Sequence, residues 1–251
     1  MNKGLFLVVL VLFSSGMAYG QAEANSSDNA VEVTFSSAFS DKYLSPWSGS
    51  VYDRRYSSQS DITVTFPNGF YASLWLAKQF GKVREGLDGN ELDGIIGEAF
   101  EKHGATIDVS LSYYDLSPIM NGRANNIWAG VVKVSKAYTF ADVEVVPFIR
   151  GELDIPEAGS DFSGGSLLTV GFETSVLMEE GFSFQVNHYY TYDSGSFGGD
   201  ENVILGLSAS AKFEIAGLEC SFPNLVLTTP LSEDSDRKFE ACSGFSVNGG
   251  F

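Results

Sequence analysis

The feature that most constrains this chain is a two-residue alternation of apolar and polar side chains, which recurs along almost its whole length. Successive side chains of a β-strand point to opposite faces, so each alternating run predicts a strand with one apolar and one polar face. The helical period of about 3.6 residues is nearly absent. Twelve runs are predicted as strands, of which 220–229 is ambiguous in face; they lie at 31–39, 61–66, 70–80, 91–100, 107–114, 128–135, 142–150, 168–176, 182–192, 202–215, 220–229 and 238–251.

The connections between these runs alternate in length. The first connection, 40–59, is long, whereas the second is only Pro67-Asn68-Gly69. Short turns at one rim and long loops at the other are typical of a membrane-spanning barrel, and a soluble sandwich or jelly roll has no reason to sort them. The sequence therefore predicts an all-β fold, a transmembrane antiparallel up-and-down β-barrel of about 12 strands.

The last run places its apolar side chains, from Phe239 to the C-terminal Phe251, on one face. A membrane barrel commonly ends this way, because its last strand closes the sheet with aromatic side chains toward lipid. The alternative is a half-buried edge strand of a soluble protein. In the barrel interpretation, the barrel-assembly machinery is an expected partner of the strand that ends at Phe251.

The chain begins with the features of a targeting segment. Lys3 is followed by the apolar stretch 4–13 and by the small-x-small pattern Ala18-Tyr19-Gly20. This pattern predicts a cleaved signal peptide at 1–20, and the apolar stretch is too short to span a bilayer as a helix. We expect a short periplasmic segment at 21–29 and the barrel over 30–251. The predicted location is the outer membrane of a Gram-negative bacterium, crossed many times by strands.

The chain carries 32 acidic and 15 basic residues, a net charge of −17. Nucleic-acid binding is excluded as a function class, because the phosphate backbone requires a basic surface. The partners we expect are instead outer-membrane lipids and lipopolysaccharide on the outer face, and small solutes or ions in the lumen.

Three segments, 39–80, 89–97 and 108–118, resemble the TorF-like porins of Gram-negative bacteria. The shared features are a Gln before the second strand, a Gly-Phe-Tyr-Ala-x-x-Trp third strand and a Glu-x-Asp start to the fourth. The resemblance covers roughly the N-terminal third well and the remainder by strand pattern only. It implies a small outer-membrane channel with no established substrate or catalytic residues. The matching residues are Gln59, Gly69, Phe70, Tyr71, Ala72, Trp75, Glu91 and Asp93.

The polar faces of the runs would line the lumen and carry its function. We interpret them as a narrow pore that passes small polar solutes or cations by passive diffusion. In one alternative, salt-bridged side chains fill the interior and nothing passes. In another, the barrel is a non-conducting surface protein whose loops, around Trp47 and Asp53-Arg54-Arg55, bind a ligand or partner. The pore-lining candidates are Asp93, Asp108, Lys133, Glu144, Arg150, Glu173, Gln185, Lys212, Glu214, Tyr71 and Trp75.

The sequence predicts no enzyme, no cofactor and no metal site. Its two histidines, His103 and His188, fall in a predicted turn and on a predicted lipid-facing side. Some outer-membrane barrels hydrolyse phospholipid with a Ser-His pair on the lipid face, but His188 has no Ser two residues away on its own strand. The two cysteines are far apart and show no metal-ligand spacing.

Cys220 and Cys242 lie on the last two predicted strands, about symmetrically around the connection between them. Adjacent antiparallel strands can bring two such side chains within disulfide distance, and the periplasm is oxidising. The sequence therefore predicts a disulfide between them.

Overall fold

A computed structural model of the protein describes residues 30–45, 51–81, 90–116, 126–160, 163–179, 182–196, 201–231 and 239–250. Within these ranges no helix is long and apolar enough to cross a membrane. The predicted signal peptide (1–20), the predicted periplasmic segment (21–29), Trp47 and Phe251 lie outside the described residues.

Fifteen strands occupy most of the described chain. Their average length suits a tilted crossing of a bilayer. They are β1 (Glu32–Ser40), β2 (Tyr43–Leu44), β3 (Val51–Asp53), β4 (Ser57–Thr65), β5 (Phe70–Gln79), β6 (Glu91–Lys102), β7 (Ala105–Leu116), β8 (Ile127–Ser135), β9 (Tyr138–Phe140), β10 (Val143–Pro156), β11 (Gly165–Glu179), β12 (Phe182–Ser194), β13 (Glu201–Ile215), β14 (Leu218–Pro230) and β15 (Glu240–Gly250).

Twelve of these strands form a closed antiparallel barrel, which confirms the predicted fold. Each barrel strand pairs with its neighbours along the chain, and β15 pairs with β1 to close the sheet, in a register that runs from Thr34 opposite Gly250 to Ser40 opposite Gly244. Closure leaves no unpaired sheet edge, which the hydrocarbon core of a membrane requires. The other three strands are accessory: β9 extends the β8–β10 hairpin, and β2 and β3 form a small hairpin in the first long connection.

The connections are sorted by length as the sequence predicts. At one end of the barrel, here called the short-turn end, β6 and β7 are joined by His103-Gly104 and β13 and β14 by Ala216-Gly217. All four of these residues have positive φ, from 54° to 80°. Two consecutive positive φ angles match a type I′ hairpin turn, whose twist fits that of the flanking strands. The opposite rim, the long-loop end, carries the longer connections.

The outer face of the barrel is apolar, and the inner face is polar. Ile62, Leu74, Ile96 and Leu111 follow one another around the outer wall, and all four are among the exposed large side chains. A water-soluble protein rarely exposes so continuous an apolar belt, whereas a membrane barrel requires one.

Aromatic pairs mark the two rims of this belt. The ring centroids of Phe66 and Phe70 lie 5.8 Å apart at the short-turn end, while those of Tyr113 and Trp128 lie 4.7 Å apart at the long-loop end. Rings at both interfaces are the aromatic girdles expected of a membrane barrel.

The predicted disulfide between Cys220 and Cys242 is wrong: both are free thiols. A bulge in β14 between Ser221 and Asn224 shifts the register by one residue and reverses the alternation. Cys220 therefore lies opposite Val247 on the outer face, and Cys242 lies opposite Val226 on the inner face. An unbroken alternation along β14 would have turned both thiols toward the lumen.

Candidate functional site: the barrel lumen

The strand register fixes which side chains point into the lumen. Starting from the cross-strand pair Trp75 and Asp93, the pairings lead around the wall through Lys133 and Arg150 without a change of face. All of the pore-lining candidates fall on this inner face. That they line a conducting path stays a prediction, and their surroundings differ along the barrel axis.

Toward the short-turn end the inner side chains are half-buried and paired; this region is called the vestibule below. The Lys133 ammonium lies 2.8 Å from the Glu173 carboxylate and 5.0 Å from the centroid of the Phe148 ring. On the next part of the wall, the Tyr71 hydroxyl donates a hydrogen bond of 2.9 Å to Asp108. These half-buried groups carry charges of both signs and keep some contact with solvent.

Four further candidates lie in the same vestibule. Lys212 forms an ion pair of 3.2 Å with Glu219, a residue at the start of β14. Gln185 lies between Ser175 and Ser210 of the neighbouring strands. Glu144 and Glu214 occupy inner positions close to the short turns, and Glu214 is exposed.

Toward the long-loop end the lumen is packed, and this region is called the packed section. Arg150 and Glu152 form a salt bridge in which each side chain is 3% exposed. The Tyr114 hydroxyl donates a hydrogen bond of 3.3 Å to the same Glu152 carboxylate. An ion pair this deeply buried is held only where further hydrogen bonds satisfy its charges.

Carboxylates outnumber cations in the packed section. Glu91, Asp93 and Asp154 are each at most 6% exposed, and all face the lumen on β6 and β10. Arg150 is the cation placed among them in the described residues. The packed section therefore has more acidic groups than basic groups among the described residues.

A segment of the first long connection folds into this section. Residues 41–45, called the strap below, follow β1 directly, and Tyr43 and Leu44 are buried at 2% and 6% exposure. Tyr43 reaches across to the β5–β6 wall, where its ring lies 5.9 Å from that of Trp75 and its hydroxyl donates a hydrogen bond to Glu91. Tyr43, Trp75 and Ala77 form one buried apolar cluster. The strap therefore occupies the lumen at this level.

The strap is fastened to the start of β15. Lys42 lies 2.9 Å from the Glu240 carboxylate, and Arg54 reaches the same carboxylate at 2.6 Å. Backbone bonds add to this: the Asp41 N–H donates to the Ser243 carbonyl at 2.9 Å, and the Ser243 N–H donates to the Asp41 carboxylate at 3.0 Å. These contacts fix both the position and the direction of the strap.

Several residues of the packed section were missed by the sequence reasoning. Glu152 and Asp154 continue the alternation beyond Arg150, so a longer strand there would have identified them. Tyr43 belongs to a two-residue strand in a connection, where periodicity gives no signal. The binding surface predicted around Asp53-Arg54-Arg55 stays a prediction; Arg54, whose side chain is 67% exposed, forms an ion pair with Glu240.

The remaining candidates for chemistry lie apart from the lumen. His188 is on the outer face, where its ring meets that of Tyr190 edge-on at 5.1 Å, and His103 is in a short turn. Across the described ranges, no three His, Cys, Asp or Glu side chains are placed to hold a metal ion.

No protein-family model matches the chain, and no curated protein matches it in sequence. Solved structures do match its fold. The NanC porin is 11% identical with a TM-score of 0.53, covering 87% of this chain and 98% of that one. The KdgM porin in complex with disordered oligogalacturonate is 12% identical with a TM-score of 0.50, covering 86% and 97%. An outer membrane channel from Pseudomonas putida F1 is 8% identical with a TM-score of 0.51, covering 88% and 94%.

At these identities the likeness shows the fold alone. The fold is that of outer-membrane barrels, and the exposed apolar belt with its two aromatic rims agrees with it. The chain therefore has the fold of an outer-membrane β-barrel, with an apolar outer surface suited to lipid.

Proposed function

We propose that this barrel is a porin-like channel that passes small polar solutes or cations by passive diffusion. The observation that carries the proposal is the polar inner face, which continues from the half-buried vestibule through the packed section along the strands of a closed barrel. Polar and charged side chains inside a wall that faces lipid are costly unless water or other polar groups in the lumen satisfy them. The likeness to porins and channels supports the same function.

The charge of the lumen favours cations over anions. Inward carboxylates outnumber Lys133, Arg150 and Lys212 in both the vestibule and the packed section. A ring of carboxylates in a low-dielectric wall concentrates counter-ions and selects by charge. The inward carboxylates include Glu91, Asp93, Asp108, Glu144, Glu152, Asp154, Glu173, Asp193 and Glu214.

Within this proposal the chain is a TorF-like porin with no enzymatic activity. The residues that carry the resemblance include Trp75, Glu91 and Asp93, which lie at the strap, where a solute would be selected. Lipopolysaccharide around the outer belt and the barrel-assembly machinery at the last strand are its proposed partners, as for outer-membrane barrels in general.

The test is single-channel recording of the refolded protein in a planar bilayer, with a salt gradient that reports ion selectivity. We expect discrete current steps, for the wild type or for the strap variant Tyr43→Ala. We also expect a reversal potential that shows a preference for cations. Joint neutralisation by Glu144→Gln, Glu173→Gln and Glu214→Gln is expected to reduce that preference. Glu98→Gln is the matched control, because Glu98 is exposed on the outer face.

The second candidate function is a non-conducting surface barrel whose loops bind a ligand or partner. The observation in its favour is the strap, which occupies the lumen beside Trp75. Folded protein that gives no current steps in either wild type or Tyr43→Ala would establish this candidate over the channel.

A further inference from the structure

We propose that Tyr43 occupies, in the closed lumen, the binding site for one ring of a neutral sugar. The proposal deepens the channel function and rests on it: the solute would displace Tyr43 as it passes. The site consists of Trp75, Gln79 and Glu91 on the β5–β6 wall, and the occupant is a polyhydroxylated, uncharged solute.

The two contacts of Tyr43 are those that a sugar ring makes with a protein. The Tyr43 ring lies against the Trp75 indole, with centroids 5.9 Å apart, and its hydroxyl donates to the Glu91 carboxylate. A pyranose has an apolar face of C–H groups that packs on an aromatic ring, and hydroxyls at its edge that donate to carboxylates. Tyr43 therefore presents an apolar face and a hydroxyl to the same two partners.

The same wall carries polar groups that nothing in the described chain satisfies. The Trp75 indole N–H has no hydrogen-bond partner there, nor has either atom of the Gln79 side-chain amide. Both side chains are only 6% exposed, and alternation puts them on the inner face with Ala77 between them, opposite Glu91. A buried donor left without a partner destabilises the protein, so these positions favour a ligand that accepts hydrogen bonds.

The chemistry of the wall selects among classes of solute. An acidic sugar would meet Glu91, Asp93 and further carboxylates of the packed section, with Arg150 as the opposing charge. A simple cation would satisfy the carboxylates but could not accept from the Trp75 N–H or the Gln79 amide. A neutral sugar both donates and accepts at every hydroxyl, so it satisfies both kinds of group.

The test is equilibrium binding to the detergent-solubilised full chain by titration calorimetry. The probes are maltotriose (neutral), trigalacturonate (acidic) and the glucosamine trimer (cationic). We expect maltotriose to bind Tyr43→Ala about tenfold more tightly than wild type, because apparent affinity falls in proportion to the fraction of molecules whose site is free. Trp75→Leu and Gln79→Leu should each weaken maltotriose binding. Tyr138→Ala is the matched control, since Tyr138 is exposed at the short-turn end.

Tyr43→Phe provides a second variant that keeps the ring and removes only the hydroxyl, and it should bind maltotriose more tightly than wild type by a smaller factor. The proposal is overturned if folded Tyr43→Ala binds no maltotriose. It is also overturned if this variant binds trigalacturonate or the glucosamine trimer more tightly than it binds maltotriose. Conductance is read separately: current steps without maltotriose binding refute the sugar site and leave the channel, whereas binding without steps refutes the channel and leaves the site.

Discussion

The hydroxyl of Tyr43 donates a hydrogen bond to the carboxylate of Glu91, although 48 residues separate them along the chain. Tyr43 belongs to the connection after the first strand, and Glu91 opens β6, the fourth strand of the barrel wall. This contact joins a loop to a wall strand three strands away from β1. The closed arrangement therefore depends on a few polar contacts, each of which a point substitution can remove.

The strap should loosen when its fastening to β15 is weakened. Glu240→Gln removes the charge that both Lys42 and Arg54 contact. Because the Arg54 side chain is largely exposed, we expect a loss of only about 1 kcal/mol, or a roughly fivefold rise in the ratio of open to closed time. Single-channel recordings at low salt measure that ratio. Lys136→Gln at the short-turn end should leave it unchanged, and an equal effect of both variants would contradict the fastening role.

Arg150 should be essential for the stability of the packed section. Arg150→Met leaves Glu152 as an uncompensated buried charge, at an expected cost of about 3–5 kcal/mol in the free energy of unfolding. Urea unfolding in lipid vesicles followed by tryptophan fluorescence measures this. Lys133→Met, whose ion pair keeps solvent contact, should cost less.

The double variant Arg150→Met with Glu152→Gln removes both charges and should recover part of the loss. If it proves no more stable than Arg150→Met alone, the destabilisation does not come from the unpaired carboxylate.

Thiol titration of the unfolded, unreduced protein should find two free cysteines, because Cys220 and Cys242 face opposite sides of the wall.

The register of β14 and β15 makes a second prediction. Val226→Cys places a thiol directly opposite Cys242, so oxidation should produce a bridge visible as a mobility shift that a reductant reverses. Leu225→Cys points to the other face and should give no such shift. A shift for Leu225→Cys alone would mean that the register is off by one residue.

Gly206 should be intolerant of any side chain, because a Cβ atom there would lie 2.0 Å from the ring of Tyr189. Gly206→Ala must displace this ring, which is buried against the inner wall. We expect a loss of about 1–3 kcal/mol in the free energy of unfolding, the usual cost of overpacking. Gly130→Ala is the matched control, since a Cβ there meets nothing within 4 Å and faces outward. Equal stabilities of the two variants would contradict this packing.

The strand pattern was readable from sequence because one face of every strand meets lipid and the other does not. That contrast keeps a strict two-residue period, so the inward direction of Lys133, Arg150 and Glu173 follows from parity alone. The same reasoning failed at Cys220, because a bulge inserts a residue without changing composition in any way that parity detects.

The candidate site was readable only in part. Trp75 and Asp93 were predicted because they lie within regular strands, whereas Tyr43 is fixed by contacts with residues distant in sequence. Such contacts depend on how the loop folds back over the rim, and neither propensity nor spacing encodes that path. The pairing of Lys42 and Arg54 with Glu240, near the opposite end of the chain, has the same origin.

Because of the bulge in β14, the two cysteine thiols lie on opposite faces of the wall, where they can serve as chemically identical probes of different surroundings. Cys220 faces the hydrocarbon side, while the Cys242 sulfur lies beneath the strap, 3.4 Å from the Lys42 carbonyl oxygen. A small water-soluble alkylating reagent should therefore reach Cys242 only when the strap has moved, and Cys220 reports a background independent of that motion. Alkylation of the two native cysteines can thus report the movement of the strap in intact cells, without any introduced label.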